Sequence, residues 1–470
     1  LWGSNAVNGV INIVTRSAQE TQGGRVAVGA GNVDQHLLDV RQGGVSESAA
    51  WRLYARSRGR SDQELPGGGT ANDSSHSQRV GFRIDSSPSP TAWMVSGEAQ
   101  QGRSGGAPYP QSTTEDIRDY HLLGRLSRRL ESGSTLQLQT YFDSSWRRDL
   151  AVGSALQEDI FDLDIQHDVL LTASQRLIWG GGWRQNRFSS VGSVKLAFVP
   201  DHQSRTVTSL FVQDEWEILP QELILIGGVR AEQLPRHGLQ WQPSLRATWN
   251  PLPLHTFWIS TGQAVRAPNN INTSVRYSGP IGSQVTPPLP VFGNPDFAPE
   301  RIASLELGWR ARLSPKLSTD VALYSNRYRQ LESLELAPSL VNLSHFNHAR
   351  ATTQGLEWAL DWQASDNWQL RSGLTFYREH SRLVDPQSAA ATVTFHDMFP
   401  NRQAFLRSLW DINAAHRLDV TWRGAGPLSH RGIPGYGTSD LRWTWRHDRF
   451  VELSMIARNI GGPRHREISE

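Results

Sequence analysis

A run of carboxylates between residues 158 and 168 has the side chains that bind hard metal cations. Asp162, Asp164 and Asp168 alternate with apolar residues, and Glu158 and Asp159 precede them. Residues two apart on a β-strand share a face, so these carboxylates would point the same way. The run lacks the loop and the glycine turn of an EF-hand. We therefore interpret it as the charged face of a strand and predict no metal site.

Two histidines, His345 and His348, lie in a segment that we predict to be a long loop. Imidazole is a common ligand of iron, so these side chains are candidate contacts for a ferric or haem-type ligand. His380, His396 and His430 lie in or beside other predicted loops. Because the spacing alone does not define a metal site, solvated loop side chains are the simpler interpretation.

Two further groups of residues have the chemistry to bind an anionic ligand. Arg103 and Tyr109 lie in the predicted loop 102–117, where an aromatic ring between glycines and prolines can stack on a ligand and an arginine can pair with its charge. Trp146 and Arg147 offer the same combination at a strand end. All four are candidate ligand contacts, and ordinary loop structure is the alternative.

The chain has no sequence motif of zinc-dependent or nucleotide-binding enzymes. H-E-x-x-H is absent, and the three glycines at 180–182 are not followed by Lys-Ser/Thr. The match to G-x-S-x-G at residues 102–106, GRSGG, lies in a predicted polar loop and not between a strand and a helix, so it does not indicate a nucleophile. The absence of cysteine excludes disulfides and thiolate metal sites. The 47 basic and 45 acidic residues are interspersed, so the basic pI does not indicate nucleic-acid binding. We predict neither an enzyme nor a cofactor.

Apolar and polar residues alternate strictly in many segments from about residue 24 to residue 460. Leu305, Leu307 and Trp309, for example, interleave with Glu306 and Arg310. Successive side chains of a strand point to opposite faces, so each segment has one apolar and one charged face. The segments run roughly 9–13 residues, the length of a tilted strand that crosses a bilayer. No apolar run reaches the roughly 18 residues of a spanning helix.

Short turns such as Ser314–Lys316 alternate along the chain with long polar loops such as 265–299 and 330–348. Tryptophans near segment ends, among them Trp249, Trp258 and Trp410, are typical of interfacial aromatic girdles. Counting from turn to turn gives about 21 strands, and bacterial barrels have even strand numbers. We therefore predict an all-β fold, a large antiparallel transmembrane β-barrel that has 22 strands in the full protein.

Residues 1–16, LWGSNAVNGVINIVTR, do not alternate, and they resemble the end of the plug domain of TonB-dependent outer-membrane receptors. The residues that match the plug pattern are Gly3, Asn5, Ala6, Gly9, Val10, Ile11 and Asn12. Later stretches resemble the barrel of the same family in the expected order, among them GQAVRAP, GNPDFAPE and TQGLEWAL. The barrel residues that carry the resemblance are Arg266, Pro268, Asn294, Pro295, Glu300, Glu306, Gly355, Glu357 and Asn459.

The resemblance implies a plug end at residues 1–20 and a receptor barrel at residues 21–470 whose last strand is missing. It places the rest of the plug, with its TonB box, before Leu1. The expected protein is a receptor in the outer membrane of a Gram-negative bacterium, surrounded by membrane lipid and lipopolysaccharide. TonB, with ExbB and ExbD, would act through the plug.

Import of a scarce, bulky ligand is the function that the resemblance implies, and an iron–siderophore complex is the ligand that we favour. Cobalamin, haem or an oligosaccharide are alternatives within the same fold. A passive porin and a soluble all-β carbohydrate-binding protein are alternatives from other classes. The plug-like segment 1–16 argues against a porin, because porins have no N-terminal plug. The rhythm of short turns and long loops argues against the soluble protein.

Overall fold

The computed structural model describes residues 3–7, 9–65, 68–106, 114–150, 152–278, 289–339, 341–387, 391–393, 398–429, 432–462 and 465. Within these residues the regular structure is a single sheet of 25 strands, one short α-helix and one 3₁₀ turn, Gln19–Thr21. Neither helical segment has the length and apolarity needed to cross a lipid bilayer.

The helix α1 spans Asn270–Ser274. The strands are β1 (Gly23–Gly29), β2 (Asp34–Val45), β3 (Ala49–Arg60), β4 (Ser75–Ser86), β5 (Thr91–Gly105), β6 (Thr114–Arg129), β7 (Thr135–Asp149), β8 (Ser154–Thr172), β9 (Gln175–Val191), β10 (Leu196–Phe198), β11 (His202–Leu219), β12 (Leu223–Leu234), β13 (Gly238–Leu252), β14 (His255–Arg266), β15 (Val275–Tyr277), β16 (Val291–Phe292), β17 (Glu300–Ser314), β18 (Leu317–Leu336), β19 (Leu343–Ser365), β20 (Trp368–Leu383), β21 (Thr392–Val393), β22 (Arg402–Asp411), β23 (His416–Ala425), β24 (Tyr436–Arg446) and β25 (Glu452–Ile460).

The long strands form one continuous antiparallel wall. In the described part of the chain, 21 strands have seven or more residues, and each pairs with the next one in chain order. On the last strand, β25, the Nη1 atom of Arg458 lies 2.8 Å from Asp34 Oδ2 on β2, so the wall curves back on itself. No described residues of β25 and β1 pair directly. This architecture confirms the predicted antiparallel barrel and its strand count.

The outer face of the wall is apolar, as the alternation predicts. Leu210, Val212 and Trp216 on β11 share one face, and 71%, 40% and 50% of their surfaces are exposed. The register places Leu210 opposite Ala231 and Val212 opposite Val229, so the apolar face continues onto β12. A soluble protein rarely leaves so large an apolar surface uncovered.

The inner face of the wall is charged and is neutralised by ion pairs between neighbouring strands. Arg184 Nε on β9 lies 2.8 Å from Asp162 Oδ2 on β8, and Arg176 pairs with Asp168 in the same way. On other strands, Arg56 Nη2 lies 2.6 Å from Asp39 Oδ2. The carboxylate run at 158–168 is therefore part of a charged strand face, which confirms our interpretation of it.

Aromatic side chains on the inner face lie flat across glycines of the neighbouring strand. Trp258 is one of them, so its assignment to an outer girdle is wrong. Its Nε1 atom donates to Glu306 Oε1 at 2.8 Å, and a Cβ added at Gly308 would lie 1.9 Å from its ring. Likewise, a Cβ at Gly355 would lie 2.3 Å from the Tyr324 hydroxyl oxygen. These positions require glycine because the neighbouring ring occupies the space of a side chain.

Several strands are longer than the 9–13 residues that the sequence indicates. β18 has 20 residues and β19 has 23. At about 3.3 Å per residue, β19 extends for about 76 Å, far beyond a hydrocarbon core of about 30 Å. Strands therefore continue past the bilayer on the loop side. The predicted loop at 330–348 is largely wrong, because β18 extends to Leu336 and β19 begins at Leu343. The predicted loop at 102–117 is wrong at both of its ends, where β5 extends to Gly105 and β6 begins at Thr114.

The long connections on the loop side contain short strands that pair with one another and extend the same sheet. β10 pairs with β15, β15 with β16, and β16 runs parallel to the start of β19. Their side chains form a buried apolar cluster of Phe188, Phe198, Val275, Val291 and Leu343. This cluster joins β9 to β19, which lie seven positions apart in the wall, so the connections pack together over part of the barrel mouth.

We expect a new charge to destabilise the barrel on the outer face of β11 and to have little effect on the inner face. Val212→Arg on the outer face should lower the free energy of unfolding by about 2–4 kcal/mol, because arginine is costly on the lipid face of a barrel. Gln213→Arg, the adjacent position on the inner face, is the matched control and should change it by less than about 1 kcal/mol. Urea unfolding in lipid vesicles measures both. Equal losses would contradict the assignment of the faces.

Candidate functional site

The N-terminal segment lies inside the barrel and contacts its wall through a buried carboxylate. The backbone N–H of Ser4 donates to Glu232 Oε2 at 2.8 Å, and the Ser4 hydroxyl donates to the same oxygen. Gln242 Nε2 also donates to it at 2.9 Å. Gly3 packs so closely that a Cβ there would lie 2.7 Å from Glu232 Oε1. The small residues at the start of the predicted plug motif are therefore required by close packing against β12.

Asn5 joins the segment to the upper end of β14. Its N–H donates to the carbonyl of Val265 at 2.8 Å, and its Oδ1 atom accepts from the N–H of Ala267 at 3.0 Å. Asn5 has a φ of 75°, a conformation that asparagine tolerates better than most residues. Ala6 closes the turn with a 3.3 Å hydrogen bond from its N–H to the carbonyl of Gly3.

The other end of the segment is held on the opposite side of the lumen, by β3 and β4. The N–H of Ala18 donates to Asp85 Oδ2 at 2.7 Å, and Arg83 Nη1 donates to Thr15 Oγ1 at 2.6 Å. Next to these contacts, Glu20 accepts hydrogen bonds from the N–H and the hydroxyl of Ser17 at 2.8 and 2.9 Å. Those hydrogen bonds hold the pKa of the Glu20 carboxyl below its usual value.

Between these two attachments the segment crosses the lumen without packing against the wall. Gly9, Val10, Ile11 and Asn12, the rest of the predicted plug motif, are exposed. The exposed fractions of Ile11 and Ile13 are 90% and 80%. The contacts that the described residues of the segment make with the wall are therefore polar and lie at its two ends.

A buried network of charged and amide side chains lies where β14 enters the long connection. Register places Arg266 directly opposite Glu300, and the Arg266 guanidinium pairs with that carboxylate. A second nitrogen, Nη2, lies 3.4 Å from Glu332 Oε2 on β18. Asn272 Nδ2 on α1 donates to the same oxygen at 3.0 Å. One arginine thus neutralises two buried carboxylates from two different strands.

His345 completes this network and is not a solvated loop side chain, so that interpretation is wrong. It lies on β19, where 6% of its surface is exposed, and its Nδ1 atom is 2.7 Å from Glu332 Oε1. Its Nε2 atom is buried without a hydrogen-bond partner in the described structure. Its carbonyl accepts from Asn294 Nδ2 at 3.0 Å, which connects the network to the loop before β17.

A second buried acid–histidine pair lies beside the first. His348 Nδ1 is 2.9 Å from Glu335 Oε1, and Glu335 is fully buried. The Ser333 hydroxyl donates to the same oxygen at 2.6 Å, and the His348 ring stacks on Phe346 at 5.4 Å. Both histidines therefore hold the upper β18–β19 hairpin together. They lie within the wall of the mouth, with their Nδ1 atoms already engaged.

Two prolines of the barrel motif shape the connection around this network. Pro268 follows Arg266 and its carbonyl accepts from Arg205 Nη1 at 3.0 Å. Pro295 lies in a tight turn in which the Asn294 side chain accepts from the N–H of Asp296 at 3.0 Å. Arg266 of GQAVRAP is thus brought together with Asn294 and Glu300 of GNPDFAPE, a separate motif in the sequence.

The remaining barrel-motif residues lie elsewhere. Glu306 and Gly355 accommodate aromatic rings on the inner face, as described above, and Glu357 is exposed on β19. Asn459 lies near the end of β25, away from the network. Its backbone N–H donates to Asp440 Oδ1 at 3.1 Å.

The other candidate ligand contacts divide between the two faces of the wall. Arg103 lies on β5 and pairs with Asp116 across the strand at 2.8 Å, and Trp146 lies on β7 beneath Arg118, whose guanidinium is 5.0 Å from its ring centre. Alternation puts Trp146 on the face of Leu138 and Phe142, which is the outer face. Arg147 therefore points to the lumen side, where it is exposed. Tyr109 lies outside the described residues.

Sequence reasoning missed the acids that organise the site. Glu232, Glu332 and Glu335 are buried, and no spacing pattern distinguishes them from exposed glutamates. Both acids lie on β18 and bond histidines of the neighbouring β19, but neither is directly opposite its histidine, since His345 is opposite Leu334 and Glu335 is opposite Ser344.

With this geometry in place, comparison with known proteins identifies the family. The model of the TonB-dependent receptor-like β-barrel family matches residues 33–460. The chain belongs to this family. It is therefore an outer-membrane β-barrel of the Gram-negative type, and its family consists of receptors and transporters.

Individual relatives of this chain are distant. An iron-regulated outer membrane virulence protein of Vibrio cholerae is 22% identical over 405 residues, which cover 80% of this chain and 60% of that protein. The vitamin B12 transporter BtuB of the same species is 24% identical over 331 residues, which cover 66% of this chain and 49% of the transporter. The siderophore receptor PirA of Pseudomonas aeruginosa has a TM-score of 0.76 at 18% identity, covering 98% of this chain and 80% of the receptor.

We expect the Arg266 network to make a large contribution to stability. Arg266→Met should lower the free energy of unfolding by about 3–5 kcal/mol, because it leaves Glu300 and Glu332 buried without their counter-charge. Arg56→Met removes a half-exposed ion pair of the inner face and should cost less than about 1 kcal/mol. Chemical unfolding followed by tryptophan fluorescence measures both. A loss for Arg266→Met as small as that of the control would contradict the importance of the network.

Proposed function

We propose that the complete protein is a TonB-dependent importer and that its ligand is an iron–siderophore complex. The observation that carries this proposal is the N-terminal segment, which lies in the lumen and is attached at both ends through Glu232 and Asp85. A barrel of this size leaves a wide lumen, and a segment inside it is suited to block passage until it is moved. The proposal includes residues 1–20 as the end of a plug, the rest of the chain as the barrel, and no enzymatic activity.

The way in which the segment is held supports an energy-coupled mechanism. Its attachments are a few hydrogen bonds at its two ends, each worth about 0.5–1.5 kcal/mol, or about 1.5–3 kcal/mol where a charged group takes part. The described residues in the middle of the segment, 9–14, are exposed and have few contacts that would have to be broken. A pull transmitted by TonB, with ExbB and ExbD, would therefore release it in a few separate steps. The ion-paired wall would keep its shape meanwhile.

The choice of an iron chelate rests on the relatives and on the charge of the mouth. The names of the relatives include an iron-regulated protein and a siderophore receptor, and also a vitamin B12 transporter. Arg147 is exposed on the lumen side and has no ion pair in the described structure, so it is available to an anionic chelate. We propose it as the ligand contact, whereas His345 and His348 act by holding the mouth in shape.

We expect deletion of the full-length gene to abolish uptake of one ferric siderophore under iron limitation. Uptake of the other iron sources and of cobalamin should be unchanged, and the full-length gene on a plasmid should restore transport. A panel of radiolabelled ferric chelates, haem and cyanocobalamin measures this directly. Loss of cobalamin or haem uptake alone would refute the choice of ligand, and unchanged uptake of every compound would refute the function.

Arg147→Ala in the full-length receptor should weaken binding of that ferric siderophore by about tenfold, equivalent to about 1.4 kcal/mol, because one charge-assisted contact is lost. Arg148→Ala is the matched control, since alternation puts Arg148 on the outer face. Fluorescence quenching titration of the purified variants measures the affinities. Equal affinities for the two variants would rule out Arg147 as a contact.

A further inference from the structure

The outer face of β18–β22 carries arginines that have no acidic partner. They are exposed, and the described structure gives none of their side chains an ion pair; they are Arg327, Arg350, Arg378, Arg382 and Arg402. On the inner face, by contrast, Arg407 and Arg417 each pair with an aspartate. The outer group thus has no counter-charge within the described part of the chain, which leaves it available to an anion from outside.

Strand register establishes that these arginines point outward. Leu323, Leu356 and Phe376 are opposed across β18, β19 and β20, and they belong to the apolar outer face. Arg378 and Arg382 follow Phe376 at even spacings on β20, and Arg402 lies directly opposite Phe376 on β22. Because the pairing of these segments has no register shift, alternation keeps these side chains on one face.

Two of the arginines face each other directly. Arg350 on β19 is the cross-strand partner of Arg382 on β20, and like charges in that position destabilise a sheet. The neighbouring outward positions are the polar residues Thr352, Gln354 and His380, none of which is an acid. The arginines thus form a stripe about 20 Å long, at about 3.3 Å per residue from Phe376 to Arg382.

An apolar groove lies at the lower end of this stripe. It has a volume of about 1030 Å³, and its lining includes Leu305, Leu307, Leu323, Leu356, Phe376 and Phe399 together with Arg378 and Arg402. One acid, Glu379, also lines it, but alternation turns its side chain to the inner face, where it accepts from the Tyr377 hydroxyl at 3.0 Å. β20 and β22 pair only as far as Phe376 and Arg402, so the two strands separate where the groove opens. The groove therefore combines aliphatic and aromatic walls with two cations at its rim.

The height of the stripe matches the boundary of the lipid. Trp368 begins β20 on the side of the short turns, and Arg378 follows ten residues later. That distance is about 33 Å along the strand, or about 25 Å in height at a tilt near 40°, which equals the usual apolar band. Long loops of such barrels face outward from the cell, so the arginines begin where the acyl chains of the outer leaflet end.

We propose that this surface binds a phosphorylated lipid of the outer leaflet, with acyl chains in the groove and phosphates on the arginines. Arg378 and Arg402 bind the phosphates at the acyl boundary, and Arg327, Arg350 and Arg382 bind phosphates further out. Guanidinium groups bind phosphate oxygens through paired hydrogen bonds, which suits this arrangement. The outward face of β11–β13, which is fully described, has Thr206, Thr208 and Trp241 at the same height and no such site.

The test uses the purified full-length receptor in detergent, with bisphosphorylated lipid A as the probe and native mass spectrometry as the readout. Arg378→Gln/Arg402→Gln should bind the probe at least about tenfold more weakly than the wild type, because two charge-assisted contacts are lost. The control is Arg148→Gln/Arg187→Gln, which makes the same charge change at positions opposite Asp116 and Asp159. It should bind like the wild type.

Three results would overturn the proposal. The first is equal binding by the Arg378/Arg402 variant and the wild type, with both shown to be folded by their heat-modifiable mobility. The second is equal binding of dephosphorylated lipid A by the wild type, since the surface would then recognise acyl chains alone. The third is displacement of the probe by inorganic phosphate at equal concentration, since the groove would then play no part. Transport of any ligand does not enter the test.

Discussion

The fold depends on the requirement that every backbone N–H and C=O group in the hydrocarbon layer find a partner within the protein. A curved antiparallel wall meets this requirement strand by strand, and it fixes where side chains point, since their period along a strand is two. Within the hydrocarbon layer the outer face must be apolar, so the charge of the strands at that height goes to the inner face. The ion pairs of the inner face, such as Arg184 with Asp162, follow from this, because charges lying so close together must alternate in sign to be tolerated.

The mouth of the barrel is organised by different forces. Above the bilayer the strands no longer need apolar outer faces, and buried polar networks replace lipid contact as the source of order. Arg266 connects β14, β17 and β18, while His345 and His348 hold the upper β18–β19 hairpin through glutamates. Such networks specify one arrangement, because removing any member leaves a buried charge uncompensated. The N-terminal segment contacts the same region through Asn5, which bonds the backbone of Val265 and Ala267. The position of the segment and the shape of the mouth are therefore coupled.

The alternation and the turn rhythm were sufficient to predict the antiparallel barrel, its strand number and its charged inner face. The same reasoning failed above the bilayer, where His345 and His348 were assigned to a solvated loop and are instead half of a buried network on β19. It also placed Trp258 in an outer girdle, whereas its ring lies on Gly308 inside the barrel. Arg103 and Trp146 lie in strands and have partners of their own, and their contact with a ligand stays a prediction.

The sequence by itself determined the properties that repeat along the chain. Strand periodicity, the sign of each face and the alternation of short and long connections are local patterns, and each is repeated often enough to be unambiguous. Only the tertiary structure decided which residues meet across long separations. Arg266 and Glu332 are 66 residues apart, and Ser4 and Glu232 are 228 apart. Nothing in the local pattern of a buried glutamate differs from that of an exposed one, because burial is set by how the strands curve and which connection folds over them.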